Sequence, residues 1–225
     1  MSIRPGANGS YSATKVPVLA LLTFAFGVSP DRVSGAPAST KRYDIEARFE
    51  RDDASLQVPT ADLLIRAVLR ERFGLVAHIE PRDLPVYVLK VARRDGRLGV
   101  GLKPSSVNCH DEVAASEARQ RSSRATNGAP ACGAIEDPER FVAGGTTIET
   151  LARALRIPSG RTVIDGTGLA GTWDVTLEFS PLNESSAARP SIFTVVEGQL
   201  GLTLQPSTAP LDVLVVDSIY EPTPN

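Results

Sequence analysis

The glycines in the stretch VIDGTGLAGTWDV have the spacing of a dinucleotide-binding loop: Gly166, Gly168 and Gly171. Such a loop binds pyrophosphate only where a strand precedes it and a helix follows, because the N–H groups at the helix N-terminus face the phosphate. Residues 172–179 alternate apolar and polar side chains instead, which indicates a second strand. We therefore predict a glycine-rich hairpin connection, with no bound cofactor.

A second pattern, S-x-x-K at Ser12 and Lys15, matches the acylating motif of penicillin-binding enzymes. Neither K-T-G nor S-D-N accompanies it, and Lys15 falls at a predicted strand-to-helix junction instead of one helical turn beyond Ser12. We assign no nucleophile to this motif.

The densest group of potential metal ligands is Cys109-His110-Asp111-Glu112, to which Cys132 could add a further ligand. The chain holds only two cysteines and two histidines, fewer than the common zinc motifs require. Three alternatives stay open: a metal site, a pair of free thiols in a reducing compartment, and a Cys109–Cys132 disulfide. We favour the disulfide on condition that the protein is exported, and we predict no metal.

The remaining polar candidates form no catalytic set, so we predict no catalytic residues. His78 lies in a predicted strand and is expected to face outward. Asp44 and Asp174 occupy matching positions in similar segments; each is expected on the solvated side of its strand or bonded to a neighbouring turn, and a carboxylate pair would require the two segments to meet face to face. One basic cluster is read as solvated surface: Arg119, Arg121 and Arg124.

The bulk composition is that of a globular protein. The chain has 225 residues, 42% of them apolar, and a net charge of −2, so nothing predicts a nucleic-acid partner. The apolar run at residues 16–28 is too short to span a membrane. It fits either the core of a signal peptide, with Ala36-Pro37-Ala38 as a cleavage pattern, or a buried helix that ends at Gly27.

An internal duplication favours the buried helix. RYDIEARF at residues 42–49 matches TWDVTLEF at residues 172–179, with a constant offset between paired positions. The same offset carries the apolar run onto residues 147–156, an amphipathic helix pattern that Thr146 and Glu149 begin with capping-box spacing. Repetition at one offset is hard to explain if the run is a signal peptide.

The second part of each half also repeats. One helix follows Thr60 and ends before Gly74, a shorter one runs over residues 192–200, and each is followed by two predicted strands. We predict an α+β fold of two tandem β-α-β-β-α-β-β lobes, with helices on one face of mainly antiparallel sheets. The lobes comprise residues 1–94 and 139–225, joined by a flexible linker at 95–138 that holds a short helix near residues 112–120.

Several stretches outside the linker resemble a family of uncharacterised soil-bacterial proteins of the Solibacter and Acidobacteria type. They include RYDIEARFE, LRERFGLVAHIEPRDLPVYVLKVARR, LKPS and TVIDGTGLAGTWDVTLEFSP. The family is a domain of unknown function, sometimes fused to membrane metallopeptidases of the β-lactam-sensor type. Its members usually carry a signal peptide, and a strand usually leads into a motif like Ser2-Ile3-Arg4-Pro5. The resemblance therefore implies an extracytoplasmic protein, with an export signal and one strand expected before this motif.

The favoured function is a non-enzymatic protein-interaction or sensor module that pairs a partner strand with a sheet edge. The predicted edge lies in the last strand of each half: Val86, Tyr87, Val88, Val213 and Val215. Alternatives are a small-ligand binder that uses a cleft between the lobes and, less favoured, a cell-envelope hydrolase. Oligomeric state has no signal in the sequence.

Overall fold

The computed structural model describes residues 2–5, 10–47, 60–109, 132–137, 139–179 and 190–222. The strands are β1 (Ser2–Pro5), β2 (Tyr11–Pro17), β3 (Val33–Ser34), β4 (Arg42–Ala47), β5 (Val76–Val91), β6 (Leu102–Pro104), β7 (Gly133–Asp137), β8 (Arg140–Thr146), β9 (Val163–Asp165), β10 (Trp173–Glu178) and β11 (Leu202–Ser218). The helices are α1 (Val18–Phe26), α2 (Ala61–Phe73), α3 (Ile148–Ser159) and α4 (Ile192–Val195), the last continued by a π-helical turn at Val196–Leu200. The predicted α+β class is confirmed.

The chain forms two compact units. The first comprises Met1–Asp83 and Pro210–Asn225, and the second comprises Leu84–Ala209. The division of the sequence into lobes and a linker stays a prediction. Within residues 95–138, however, β6 and β7 are the two outer strands of the second unit's sheet. They are too short to show the periodicity from which strands are read.

In the first unit, a three-stranded antiparallel sheet has the order β1-β2-β4. The apolar run is helix α1, as predicted: Leu21, Leu22 and Ala25 are fully buried, and Gly27 ends the helix in the left-handed conformation. Helix α1 packs beside α2, whose Ile65 and Leu69 join the same core.

The second unit has a four-stranded sheet of order β6-β10-β8-β7. Its core combines the apolar face of α3 with alternate residues of β10, such as Leu151, Leu155, Val175 and Leu177. The predicted cap of α3 is displaced by one residue, since Thr147 accepts the N–H of Thr150.

Each pair of strands predicted after the second helix of a half is one continuous strand. Strand β5 passes through Pro81 and Pro85, and β11 passes through Pro206 and Pro210. Proline removes one N–H, which matters only where that N–H faces a neighbouring strand. The prolines therefore mark no strand boundary here.

The predicted binding edge requires correction. Strands β5 and β11 are interior strands in the order β3-β11-β5-β9. Tyr87 and Val88 pair with β9, and Val215 pairs with β3. The two residues of β3 carry no sequence signal, and the strand predicted before the glycine loop, which is β9, was expected to pair with β10; the covered positions of β5 and β11 therefore read as edges.

A β-bulge occurs at matching places in the two units. In the first, the N–H of Lys15 donates to Oδ1 of Asp44 at 2.7 Å; in the second, the N–H of Gly145 donates to Oδ1 of Asp174 at 3.0 Å. Lys15 and Gly145 both have left-handed backbone, with φ of 52° and 59°. The shared bulge supports the predicted duplication, which itself stays a prediction.

The two bulges predict different changes in stability when each left-handed residue is replaced by alanine. Gly145→Ala should lower the free energy of unfolding by about 1–2 kcal/mol, because a Cβ is unfavourable in left-handed backbone. Lys15→Ala should change it by no more than about 0.5 kcal/mol, since a side chain already occupies that conformation and Lys15 is exposed. Urea unfolding measures both, and equal losses would contradict the assignment.

Candidate functional site: the open edge of strand β4

The glycine loop connects β9 to β10, but the two strands do not form a hairpin. Strand β9 pairs with β5, whereas β10 pairs with β6 and β8. The loop's N–H groups are engaged locally: Gly166 donates to the carbonyl of Leu89 at 2.9 Å and Thr167 to Oδ1 of Asp165 at 2.8 Å. A phosphate would have to displace these bonds.

Of the other predicted candidates, Lys15 and Asp44 are in contact, through the backbone N–H of Lys15. Ser12 and Lys15 lie in strand β2 and not on a helix. His78 is exposed, and its Nδ1 lies 3.0 Å from Oδ2 of Asp217 on β11. Asp44 and Asp174 belong to different units, and each bonds its own bulge.

The structure joins Cys109 and Cys132 in a disulfide, which confirms the favoured pairing. Val107 packs against it, and Cys132 is buried. Within the described ranges, no group of three or more His, Cys, Asp or Glu residues could hold a metal ion. Several predictions concern residues outside the described ranges: His110, Asp111, Glu112, the helix near residues 112–120, Arg119, Arg121 and Arg124.

A cleft of about 240 Å³ lies in the first unit, along strand β4. Four consecutive β4 residues line one side, and helix α2 with the C-terminal segment lines the other. The lining residues are Tyr43, Asp44, Ile45, Glu46, Val68, Arg72, Phe73 and Pro222. Alternate side chains of a strand point to opposite faces of its sheet. A cleft lined by consecutive strand residues therefore runs along the backbone edge of the strand as well as its side chains.

Strand β4 is an outer strand of its sheet. Strand β2 pairs with it on one side, from Tyr11 opposite Ala47 to Pro17 opposite Arg42. On the cleft side, no strand among the described residues pairs with it. An outer strand offers a row of N–H and C=O groups to an additional strand.

In the second unit, the matching strand β10 does carry an additional strand. Strand β6 pairs with it antiparallel, with Trp173 opposite Pro104, Asp174 opposite Lys103 and Val175 opposite Leu102. The other side of β10 pairs with β8, as β4 pairs with β2. The two sheets therefore differ at one place, where β10 is covered and β4 faces a cleft.

The aromatic wall of the cleft is ordered by an edge-to-face contact. The ring centroids of Tyr43 and Phe73 lie 5.1 Å apart at an interplanar angle of 80°. Phe73 is buried and Tyr43 is half-buried. Tyr43 therefore presents part of its ring to the cleft.

The C-terminal segment borders the same cleft. The N–H of Tyr220 donates to the carbonyl of Phe73 at 2.7 Å, and Nζ of Lys41 lies 2.6 Å from Oε2 of Glu221. The hydrogen bond that Lys41 donates to the carboxylate of Glu221 raises the pKa of Lys41, and the charge of Glu221 acts in the same direction. These contacts place Pro222 beside β4.

Sequence reasoning missed this edge for a specific reason. The alternating pattern of RYDIEA predicts a half-buried strand but does not say which neighbours it has. The available signal was the segment LKPS, one of the stretches that resemble the soil-bacterial family. Its residues Leu102–Pro104 form strand β6, which pairs with β10.

The family of proteins described as "Protein of unknown function (DUF3738)" matches residues 19–219, so the chain belongs to this family. No curated protein and no solved structure matches the chain. Within the described residues, no helix has the length and apolar character to cross a membrane.

The disulfide predicts a measurable gain in stability of the second unit. Replacing both cysteines, Cys109→Ser with Cys132→Ser, should lower the free energy of unfolding by roughly 3 kcal/mol, because the crosslink spans 23 residues and restricts the unfolded chain. Trp173, the chain's single tryptophan, is buried in this unit and reports its urea unfolding by fluorescence. Reductant should reproduce the loss in the natural chain and leave the double variant unchanged; unchanged unfolding in both would contradict the prediction.

Proposed function

We propose that this member of the DUF3738 family is a protein-interaction module that pairs an extended segment of a partner with the open edge of β4, outside the cytoplasm. The observation that carries the proposal is the contrast between β4 and β10. Equivalent strands share one register with their inner neighbours, and among the described residues a further strand pairs with the outer side of β10 but not with that of β4. Strand addition to a sheet edge is a common mode of peptide recognition.

Backbone geometry supports the proposal. In the β10–β6 pair, the N–H of Ser105 donates to the carbonyl of Thr172 and the N–H of Thr176 donates to the carbonyl of Gly101, both at 2.8 Å. Antiparallel pairing alternates bonded and non-bonded positions, so Asp174 also directs its N–H and C=O toward β6. By the common register, Asp44 directs the same groups toward the cleft.

Side-chain burial supports it as well. Trp173 and Val175 are 7% and 1% exposed, whereas their counterparts Tyr43 and Ile45 are only half-buried. A strand added to β4 would cover the exposed parts of these two side chains. Burial of apolar surface is favourable by about 25 cal/mol per Å².

The disulfide supports the extracytoplasmic part of the proposal. Structural disulfides persist in oxidising compartments and are rare in the cytosol. The resemblance to exported soil-bacterial proteins supports the same location. Mass analysis of the protein from its native cell, with and without reductant, tests this, and free thiols would contradict it.

The interaction is tested by filling the cleft. Val68 of α2 is half-buried and lines the cleft, so Val68→Arg should obstruct strand addition while leaving the β2–β4 pairing intact. Nine-residue peptides selected from a random library on the natural chain should bind this variant at least about tenfold more weakly, since the inserted side chain prevents pairing.

Leu63→Arg is the matched control, because Leu63 lies on the same helix, is 49% exposed and does not line the cleft. Selected peptides should bind this variant as they bind the natural chain. Failure to select any peptide, or equal binding to both variants, would overturn the proposal.

A further inference from the structure

We infer that the segment captured by β4 runs antiparallel to it and has the residue order apolar–basic–proline, with the basic residue opposite Asp44. The inference rests on the proposed function and names the chemistry of its partner. It follows from treating β6 on β10 as a template for the outer side of β4, with which no strand of the described residues pairs.

The register of the template sets the position of proline. Bonded pairs occur at Ser105 with Thr172 and at Gly101 with Thr176, so Pro104 opposite Trp173 falls between bonded positions. A residue there needs no N–H toward its neighbour. Proline fits opposite Tyr43 for the same reason, and it would not fit opposite Asp44, where an N–H is required.

The apolar position follows from burial. Leu102 is 3% exposed and joins the second unit's core opposite Val175. The matching place on β4 is opposite Ile45, in a cleft that Val68 of α2 and Phe73 also line. An apolar side chain in this place would enter a cleft that has both aliphatic and aromatic groups in its lining.

The basic position follows from charge. Lys103 lies directly opposite Asp174, and opposite charges across a strand pair are favourable. Three charged residues line the cleft, namely Asp44, Glu46 and Arg72, so the lining has a net charge of −1. A cation opposite Asp44 is therefore matched in charge, whereas an anion there would be repelled.

A partner protein is the proposed source of this segment, because LKP of the chain itself is already paired with β10. The N-terminal Ile3-Arg4-Pro5 has the same residue order and is paired with β2. A second copy of the chain that donated Ile3-Arg4-Pro5 is thus the competing occupant, and the experiment distinguishes it.

The test uses the full ¹⁵N-labelled chain and a synthetic peptide with the sequence of residues 98–106, LGVGLKPSS. We expect saturable shifts of the Asp44 and Ile45 amide signals. The Lys103→Glu peptide should bind at least about fivefold more weakly, because it places a like charge opposite Asp44. A peptide with Lys103 and Pro104 exchanged should lose binding, since proline would then stand at a bonded position.

Two protein variants complete the design. Val68→Arg should lose the shifts and Leu63→Arg should keep them. Shifts confined to Asp174 and Val175 would mean that the peptide exchanges with β6, and they would overturn the inference.

The outcomes separate this inference from the proposed function. If library peptides bind in a manner that depends on Val68 while the three LGVGLKPSS peptides bind equally or not at all, strand capture stands and the residue order is overturned. If no peptide of either kind binds, both the proposed function and the inferred residue order are overturned. Concentration-dependent dimerisation in sedimentation, abolished by Val68→Arg, would assign the edge to a second copy and overturn the choice of a partner protein.

Discussion

The hydrogen bond from a bulge N–H to an aspartate carboxylate is the interaction on which the antiparallel sheet of each unit depends. Asp44 and Asp174 each accept the N–H of a residue in left-handed backbone, three residues before a helix begins. The bulge shifts the register of β2 against β4, and of β8 against β10, while satisfying the N–H that the shift leaves without a strand partner. Helices α1 and α3 can then start directly from strands. The aspartates that could have suggested paired catalytic carboxylates are structural.

Because both units use the same bulge, their strands can be compared residue by residue. Strands β4 and β10 alternate in the same way, and each pairs inward in the same register. The two strands differ on the outer side, where β6 pairs with β10 and where Trp173 and Val175 are buried. Strand β4 instead faces a cleft bordered by α2 and by the C-terminal segment. This segment is held by the ion pair of Lys41 with Glu221 and by the hydrogen bond from the N–H of Tyr220. Within the described part of the chain, one local pattern thus occurs in a strand paired on both sides in one unit and in an outer strand in the other.

Sequence reasoning succeeded where the signal was local and long. The apolar spacing of α1, α2 and α3 marks these helices, and Gly27 and Gly74 mark the ends of the first two. It failed where a strand depends on its neighbour: β3 and β6 have two or three residues, and their conformation follows from pairing. The sequence predicts strand β9, but as the hairpin partner of β10. Its pairing with β5, and the pairing of the unpredicted β3 with β11, cover Val88 and Val215, which looked like edge residues. Pro85 and Pro210 broke the pattern of β5 and β11 without ending the strands.

By itself, the sequence determined the α+β class, the helical identity of residues 18–26, the pairing of Cys109 with Cys132 once export is assumed, and the strand character of RYDI and TWDV. These follow from side-chain periodicity and from residue chemistry, which are properties of neighbours along the chain. Only the tertiary structure decided that Asp44 and Asp174 bond bulges, that LKP covers β10 and that β4 faces a cleft. The physical reason is that strand edges are satisfied by residues distant in sequence, so a strand's own pattern cannot say whether its outer hydrogen bonds are made.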